Sequence, residues 1–341
     1  MDIKEIKELL KSDKYSFLRN NMYLGQNIIL LALGGSYAYG TNNDDSDIDI
    51  RGIATNTKRN ILTSNDFEQV VETETDTVIY SLDKIVKLLY SCNPNTIEIL
   101  GLESWQYLYL SDAGKKLLDN KEIFLSKMAI NSFGGYANAQ LRRLENKAAL
   151  IVSQSQQEQH ILKSIEHASA DFKSKFFEMP DDAIKLYIDV SQDELYDTEI
   201  FFDANLHHYP LRDFKGMFNC MGEIIKSYSK IGKRNEKAIE HNKLGKHMMH
   251  LVRLYLMCFD ILENGEIHTY RDKDHDLLMS IRNGEYLDNN RQPIPEFYEL
   301  VNSLEKRLDY ASKNTDLPDK PNIDKIKDLV ESINESVVLG K

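Results

Sequence analysis

Residues 34–50 read GGSYAYGTNNDDSDIDI, and this stretch decides the fold of the N-terminal part of the chain. The glycines follow a strongly apolar run, Asn27 to Leu33, which predicts a buried strand ending in a tight turn. Ser36 to Tyr39 can then open a short helix, and Ile48 to Ala54 read as a second strand. The stretch therefore predicts two strands joined by a turn, a short helix and an acidic loop.

The end of this stretch carries two aspartates that alternate with isoleucine. In a strand, residues i and i+2 point to the same side, so Asp47 and Asp49 project together while Ile48 and Ile50 face the core. Two carboxylates held this close repel each other unless a cation lies between them. Because the available ligands are all oxygen atoms, the pair favours Mg²⁺ or Mn²⁺.

A calcium-binding loop is the main alternative for these aspartates, and its spacing fails. With Asp45, Asp47 and Asp49 in the first three ligand positions, a glycine is needed where Ile50 stands and a glutamate where Asn56 stands. A solvated acidic turn would explain the acids before the strand, but it does not explain Asp49 inside an apolar strand.

The glycine–serine turn complements the acidic pair. Gly34 and Gly35 let the backbone approach a ligand closely, and Ser36 offers a hydroxyl at the start of a helix whose free N–H groups can hold phosphate. A triphosphate held at the turn and a metal pair at the aspartates make the geometry of nucleotidyl transfer. In that reaction two metals roughly 4 Å apart activate the attacking oxygen and stabilise the leaving pyrophosphate.

The sequence continues with a β-rich run from Val70 to Tyr80 that has room for an internal turn. Ser81 then caps a helix, SLDKIVKLLYSC, with apolar residues at helical spacing. Residues 93–95, Asn-Pro-Asn, end that helix, and Thr96 starts another short helix.

At this point the chain resembles a known family. Gly35-Ser36 followed after ten residues by Asp47-Ile48-Asp49 is similar to the signature of the DNA polymerase β-like nucleotidyltransferase superfamily. Together with DTVIYSL at residues 76–82 and NPNTIEIL at residues 93–100, it resembles the predicted nucleotidyltransferases associated with RNA ligases, the RlaP-like group. The resemblance implies a third carboxylate on a neighbouring strand. Asp76 is the position that we carry over, with Glu72 and Glu74 as rivals because the strand register is not set by the sequence.

A second candidate site lies on a helix in the C-terminal half. Lys246, His250 and Arg253 fall at i, i+4 and i+7, so they share one face and can neutralise the phosphates of a nucleotide. The RlaP-like group has a similar Lys-xxx-His-xx-Arg helix. It is followed there by an Arg-x-Gly-Glu segment like residues 282–285.

Several single residues have two open interpretations. Tyr37 and Tyr39 can stack on a base or pack locally beside the turn. Arg51 can contact phosphate or pair with an acid of the preceding loop. Trp105 is expected in the core.

Beyond residue 112 the strand signals fade and helical patterns follow. They cover residues 113–131, 133–163, 181–195, 212–230, 236–263, 274–283, 294–313 and 323–336. We therefore predict an α+β fold, in which a small polymerase-β-like mixed sheet with flanking helices precedes a larger all-helical domain. The catalytic domain would span residues 1–112, and the helical domain, residues 113–341, would complete the nucleotide and acceptor cleft.

Composition limits the class of protein. The chain has 341 residues with 42% hydrophobic and 28% charged residues, which fits a folded protein of two domains. No apolar run is long enough to span a bilayer, and three scattered cysteines fit reduced cytoplasmic thiols better than disulfides or zinc. The net charge of -12 argues against a general nucleic-acid coat protein. A local basic run could form either an acceptor groove or a solvated helix face: Lys226, Lys230, Lys233, Arg234, Lys237, Lys243 and Lys246.

The sequence as a whole predicts a metal-dependent nucleotidyltransferase that uses an NTP or dNTP, ATP among them, and releases pyrophosphate. The expected acceptor is a nucleic-acid 3′ end extended without a template, in RNA repair or antiviral defence. Two alternatives remain: nucleotidylation of a protein hydroxyl, including self-modification or protein priming, and a non-catalytic nucleotide-sensing subunit. No membrane partner is expected, and an oligomer is possible.

Overall fold

The computed structural model describes most of the chain with side chains. The described residues are 2–44, 46–149, 184–190, 198–228, 243–289 and 291–340. By contacts the chain forms two compact units. The first contains Met1–Gln140, Met248–Glu285 and Pro295–Lys341, and the second contains Leu141–His247 and Tyr286–Ile294. This division differs from the predicted boundary after residue 112, because the C-terminal helices share their apolar core with the N-terminal sheet.

The first unit is built on a five-stranded mixed sheet. Its strands are β1 (Ile28–Leu33), β2 (Ile50–Ala54), β3 (Gln69–Glu72), β4 (Thr77–Ser81) and β5 (Tyr107–Leu110). The spatial order is β3-β4-β2-β1-β5, in which β2 and β4 run parallel and the other neighbours run antiparallel. The mixed sheet confirms the predicted fold class. Strand β5 is an addition that the sequence analysis did not anticipate.

Helices make up most of the remaining regular structure in the described residues. The described chain contains α1 (Ile3–Leu9), α2 (Phe17–Asn20), α3 (Gly35–Tyr39), α4 (Lys58–Thr63), α5 (Leu82–Tyr90), α6 (Pro94–Ile97), α7 (Asp112–Asp119), α8 (Met128–Ala149), α9 (Leu211–Tyr228), α10 (Lys243–Phe259), α11 (His275–Asn283), α12 (Pro295–Asn314) and α13 (Ile323–Leu339). Short 3-10 turns cover Asp13–Tyr15, Gly25–Asn27, Glu98–Gly101, Ser104–Gln106 and Lys121–Phe124, and a π-helical turn, Asp260–Asn264, extends α10. As predicted, the Ser81 hydroxyl caps α5, where it accepts a hydrogen bond from the Lys84 N–H.

Strand β1 lies inside the sheet, between β2 and β5, and both of its faces are buried. All six residues, IILLAL, are buried, which explains why the run is continuously apolar rather than alternating. Ile29 and Ala32 pack into one apolar cluster with residues of α5, α10 and α13. Ile28 and Leu33 pack into a second cluster that includes Ile6 of α1. The sheet is therefore covered on both sides.

The second unit corrects the predicted all-helical region. Residues Ile184–Val190 and Thr198–Ala204 form strands β6 and β7, which pair antiparallel. The helix predicted over residues 181–195 is therefore wrong over 184–190. Ile184, Leu186, Ile188 and Val190 alternate at period two and three of them are β-branched, which favours a strand. Residues 150–183 and 229–242 are outside the described residues, and so are the parts of the predicted helices that fall there.

In the part of the chain that the structure describes, no helix is long and apolar enough to cross a membrane.

Trp105, expected in the core, is 46% exposed. The neighbouring Gln106 takes the buried position, because its amide donates to the carbonyl groups of Tyr37 and Ala38, each at 2.9 Å.

Close packing at the centre of the sheet predicts that an added methyl group there destabilises the protein. A Cβ at Gly52 in β2 would lie 2.6 Å from Ile79 Cδ1 and 2.7 Å from Leu31 Cδ2, whereas a Cβ at Gly135 in α8 would meet nothing within 4 Å. We expect Gly52→Ala to lower the free energy of unfolding by about 1–3 kcal/mol through overpacking. Gly135→Ala should raise it by about 0.4–1 kcal/mol. Urea denaturation followed by circular dichroism measures both, and equal effects would contradict the packing described.

Candidate active site

The glycine–serine turn and the acidic segment meet where β1 and β2 pair. Their antiparallel register places Leu33 opposite Ile50, and the Gly34 N–H donates to the Asp49 carbonyl at 2.8 Å. A Cβ at Gly35 would lie 1.7 Å from Asp49 Oδ2, so only glycine leaves room for this carboxylate. Gly35 also has φ +53, a conformation that glycine adopts readily. The Asp49 carboxylate therefore lies directly against the turn.

The two aspartates lie in the extended segment before β2 rather than inside it. Strand β2 begins at Ile50, two residues later than predicted. Asp47 is exposed and Asp49 is partly buried, while Ile48 packs on the core below and Ile50 is fully buried. Asp45, the neighbouring acid of the loop, lies outside the described residues.

Asp76 lies beside Asp49 because β2 and β4 run parallel. The register pairs Ile50 with Thr77, so the residues immediately before the two strands are neighbours, and the Ile50 N–H donates to the Asp76 carbonyl at 3.3 Å. Glu72 ends the antiparallel strand β3, and its carboxylate accepts from the Glu74 N–H at 3.3 Å. Among the three candidates for the third carboxylate, this geometry favours Asp76.

Arg51 joins the two strand ends. Its Nη2 lies 3.5 Å from Asp49 Oδ1 and 3.6 Å from Asp76 Oδ1, and its Nη1 donates to the Asp76 carbonyl at 2.6 Å. From the sequence, the partner of Arg51 could be either a phosphate group or an acid of the preceding loop. In the structure its partners are the carboxylates of the candidate site.

The carboxylates at this corner of the sheet are the candidate ligands of a divalent cation. Among the described residues, no three histidine, cysteine, aspartate or glutamate side chains lie close enough together to hold a metal ion. The Arg51 guanidinium nevertheless lies between two of the expected ligands, so this corner of the sheet already accommodates a positive charge. Carboxylate oxygens are also the ligands that Mg²⁺ and Mn²⁺ prefer. The chemistry of the residues fits a divalent cation, provided that Arg51 moves.

Family comparison gives an independent result for this part of the chain. Residues 5–168 match the family RlaP, described as an RNA repair pathway DNA polymerase beta family. Over these residues the chain is similar to the RlaP-like branch of polymerase β-type nucleotidyltransferases. The family implies nucleotidyltransferase activity, and polymerase β-like nucleotidyltransferases generally use divalent metals. No curated protein and no solved structure is significantly similar to the chain.

The RlaP match confirms the resemblance drawn from the glycine–serine turn, the aspartates and the Asn-Pro-Asn segment. It ends before helix α10, so the residues expected to add positive charge lie beyond it. Lys246 is exposed and belongs to the second unit, whereas His250 and Arg253 belong to the first. These residues follow one another along one helix, with exposure decreasing from Lys246 to Arg253.

Arg253 is buried against Tyr39, the last residue of the glycine–serine helix α3. Its Cζ lies 3.2 Å from the centroid of the Tyr39 ring, and its Nη2 lies 2.6 Å from His250 Nδ1. Arg253 is 7% exposed and Tyr39 is 1% exposed, so this tyrosine packs locally. Burial lowers the pKa of Arg253 to about 10, although Glu98 and Asp49 favour its charged form. Asp49 of the acidic segment is thus one of the charges that act on this buried cation.

Glu98 completes this buried cluster, and the sequence analysis missed its role. Its carboxylate accepts a hydrogen bond from the Tyr39 hydroxyl, and its carbonyl accepts one from the Thr269 hydroxyl at 2.7 Å. Burial raises the pKa of Glu98 to about 7, and the charge of Arg253 opposes that rise. A glutamate within an apolar stretch, TIEILGL, was the available signal, because a buried acid needs a partner.

The Arg-Asn-Gly-Glu segment supports the loop that leads to the aspartates. Arg282 donates to the Thr41 carbonyl, and its Nη2 lies 3.4 Å from Ser46 Oγ. The Ser46 hydroxyl in turn donates to Asn43 Oδ1 at 2.8 Å, which closes a compact turn just before Asp47. Arg282 therefore positions the loop, a role that the sequence pattern alone did not indicate.

The buried glutamate predicts a pH dependence of stability. Between about pH 4.5 and 7 the folded protein keeps the Glu98 proton that the unfolded chain has released, so stability falls as pH rises through this range. Glu98→Gln removes the titrating group. We therefore expect the free energy of unfolding of the wild type to fall, relative to this variant, from about pH 5 to 7. Denaturant unfolding across that range measures the difference, with the exposed Glu122→Gln as the control that should follow the wild type. Parallel curves for the wild type and Glu98→Gln would argue against a raised pKa.

Proposed function

We propose that this chain is a divalent-metal-dependent nucleotidyltransferase acting in the cytoplasm. The observation that carries the proposal is the contact between the Asp49 carboxylate and Gly35, next to Asp76 on the parallel strand. A phosphate group held at the turn would lie beside carboxylates that can hold a cation. The RlaP match to residues 5–168 supports this reaction class.

The residues divide into three roles. Asp47, Asp49 and Asp76 would hold Mg²⁺ or Mn²⁺, which supplies charge neutralisation and activation of the acceptor oxygen when bound. The Gly35 backbone and the Ser36 hydroxyl would bind the β- and γ-phosphates. Asp76, whose side chain is more exposed than that of Asp49, would orient the acceptor hydroxyl or accept its proton.

Other basic residues would add positive charge near the phosphates. Arg51 would leave the carboxylates as a divalent cation enters and turn to the triphosphate. Lys246 and His250 would add charge and hydrogen-bond donors from helix α10. Tyr39 and Arg253, buried against each other, would support the turn from below rather than touch the nucleotide.

The proposed acceptor is a nucleic-acid 3′ end, extended without a template in RNA repair or antiviral defence. The RNA repair description of the matched family supports it, and so does the basic run between Lys226 and Lys246 in the sequence. Most of that run lies outside the described residues. The substrate is ATP or another NTP or dNTP, and incorporation of labelled nucleotide identifies which.

Activity is tested by incubating the protein with each α-phosphate-labelled NTP and dNTP and Mg²⁺ or Mn²⁺, with and without an RNA or DNA oligonucleotide. Label on the oligonucleotide, resolved on a denaturing gel, is the expected result. Asp47→Asn and Asp49→Asn should each lower incorporation at least about a hundredfold, because a metal ligand is lost. Asp44→Asn changes an exposed acid of the same loop and should retain activity.

Other outcomes of the same assay separate the alternatives. Label on the protein alone would replace the nucleic-acid acceptor by a protein hydroxyl. Nucleotide binding without any incorporation would favour a sensing subunit. Full activity of the folded Asp49→Asn variant would refute the carboxylate assignment.

The ion pairs of Arg51 predict opposite effects on metal and nucleotide. Arg51→Met should raise the affinity for Mn²⁺ without nucleotide by about three- to fivefold, because a partly exposed ion pair worth up to about 1 kcal/mol no longer competes. The same variant should bind nucleotide more weakly. Electron paramagnetic resonance of bound Mn²⁺ and calorimetry with a non-hydrolysable nucleotide measure the two affinities. The exposed Arg59→Met is the control, and a fall in both affinities would contradict the exchange of partners.

A further inference from the structure

An exposed aromatic pair lies close to the glycine–serine helix. Trp105, the only tryptophan of the chain, is 46% exposed, although tryptophan is among the side chains that folding usually buries most. Its ring meets Tyr270 edge to face, with centroids 5.4 Å apart and an interplanar angle of 81°. Tyr270 is itself only partly buried. Two aromatic rings are therefore presented together at the surface.

Hydrogen bonds fix the backbone segment that carries Trp105. It lies in the 3-10 turn Ser104–Gln106, which a reciprocal capping box between Glu103 and Gln106 closes. Gln106 is fully buried and donates twice to carbonyl groups of helix α3. The backbone next to Trp105 is thus hydrogen-bonded, through Gln106, to helix α3.

Tyr270 is presented in the same way. Its neighbour Thr269 is fully buried, and the Thr269 N–H donates to the Gly101 carbonyl at 2.9 Å. On the other side, Arg271 is buried between Asp260 and Asp274, and its N–H donates to the Tyr39 carbonyl at 3.1 Å. Both flanking residues are anchored inward, which leaves the Tyr270 ring at the surface.

Helix α3 connects this pair to the candidate active site. Gly40 caps the helix with φ +71, and a Cβ there would lie 2.5 Å from Tyr270 Cε2. Gly35, at the other end, lies against the Asp49 carboxylate. Five residues of helix span roughly 8 Å, so the aromatic pair and the carboxylates lie at opposite ends of one short element.

We propose that Trp105 and Tyr270 form a stacking site for a nucleobase. The inference rests on the proposed function, because the phosphates at Gly35 and a base at the far end of α3 would belong to nucleotide or nucleic acid bound along one element. Aromatic rings stack on every base, and rigidly held rings lose little conformational entropy on binding. The base would come either from the incoming nucleotide or from the single-stranded end of the acceptor.

Because Trp105 is the only tryptophan, its fluorescence reports directly on this site. Wild-type protein in EDTA, where no turnover follows, is titrated with ATP, with a short single-stranded oligoadenylate and with tripolyphosphate. We expect quenching by at least one of the two ligands that carry a base, and none by tripolyphosphate. Quenching by ATP alone would assign the site to the nucleotide, and quenching by the oligoadenylate alone would assign it to the acceptor. Equal quenching by tripolyphosphate, or no quenching by any ligand, would overturn the inference.

Substitutions test whether the rings contribute affinity. Trp105→Ala and Tyr270→Ala should weaken binding of the quenching ligand about 5- to 150-fold, the range expected for one lost stacking interaction. Trp105→Phe keeps a ring and should stay within about threefold of the wild type. Tyr310→Ala, at a tyrosine that is 68% exposed on α12, is the matched control and should bind as the wild type. Calorimetry with ATP and anisotropy of a labelled oligoadenylate give the affinities.

The two proposals fail in different ways. Unchanged affinity in Trp105→Ala and Tyr270→Ala, with normal incorporation by the wild type, would overturn the stacking site alone. Base-dependent quenching by a wild-type protein that incorporates no nucleotide would overturn the proposed activity alone. If Trp105→Ala fails to fold, Tyr270→Ala and the quenching of the wild type decide the question.

Discussion

The candidate site depends on the pairing of strand β1 with strand β2. The hydrogen bond from the Gly34 N–H to the Asp49 carbonyl extends this pairing by one step, and it brings the turn against the acidic segment. The missing side chain of Gly35 then leaves the space that the Asp49 carboxylate fills. A shift of one residue in this register would turn the aspartate away from the turn and an isoleucine towards it.

The parallel pairing of β2 with β4 adds the next constraint. It places Asp76 beside Asp49, and the repulsion of the two carboxylates is relieved by Arg51, which comes from β2 itself. An internal cation of this kind lets the protein fold with its acids close together before any ligand binds. The same arrangement makes Arg51 a competitor of whatever cation enters the site.

A buried cluster of charged and polar side chains packs around Tyr39, at the end of the glycine–serine helix. Arg253, Tyr39 and Glu98 come from three separate segments and meet where water is excluded. Taking such groups out of water is costly, and the loss of one partner would leave the other charge buried without compensation. The cluster therefore holds helix α10, the glycine–serine helix and the segment after Asn-Pro-Asn in one arrangement. Through this arrangement Arg253 contacts Tyr39 of the glycine–serine helix, and His250 contacts Arg253.

The sequence by itself determined the elements whose signals are local. The apolar run before Gly34, the glycine–serine turn, the cap at Ser81 and the alternation of aspartate and isoleucine each depend on neighbours along the chain. Their spacing also indicated the family that the comparison then found over residues 5–168. Only the tertiary structure decided which residues meet across the sheet: Asp76 rather than Glu72 beside Asp49, Arg51 between the carboxylates, and Glu98 beneath Tyr39. It also decided that Trp105 lies at the surface and that residues 184–190 form a strand. The physical reason is that register, burial and charge pairing depend on contacts between distant segments, and these contacts leave no periodic pattern in the sequence.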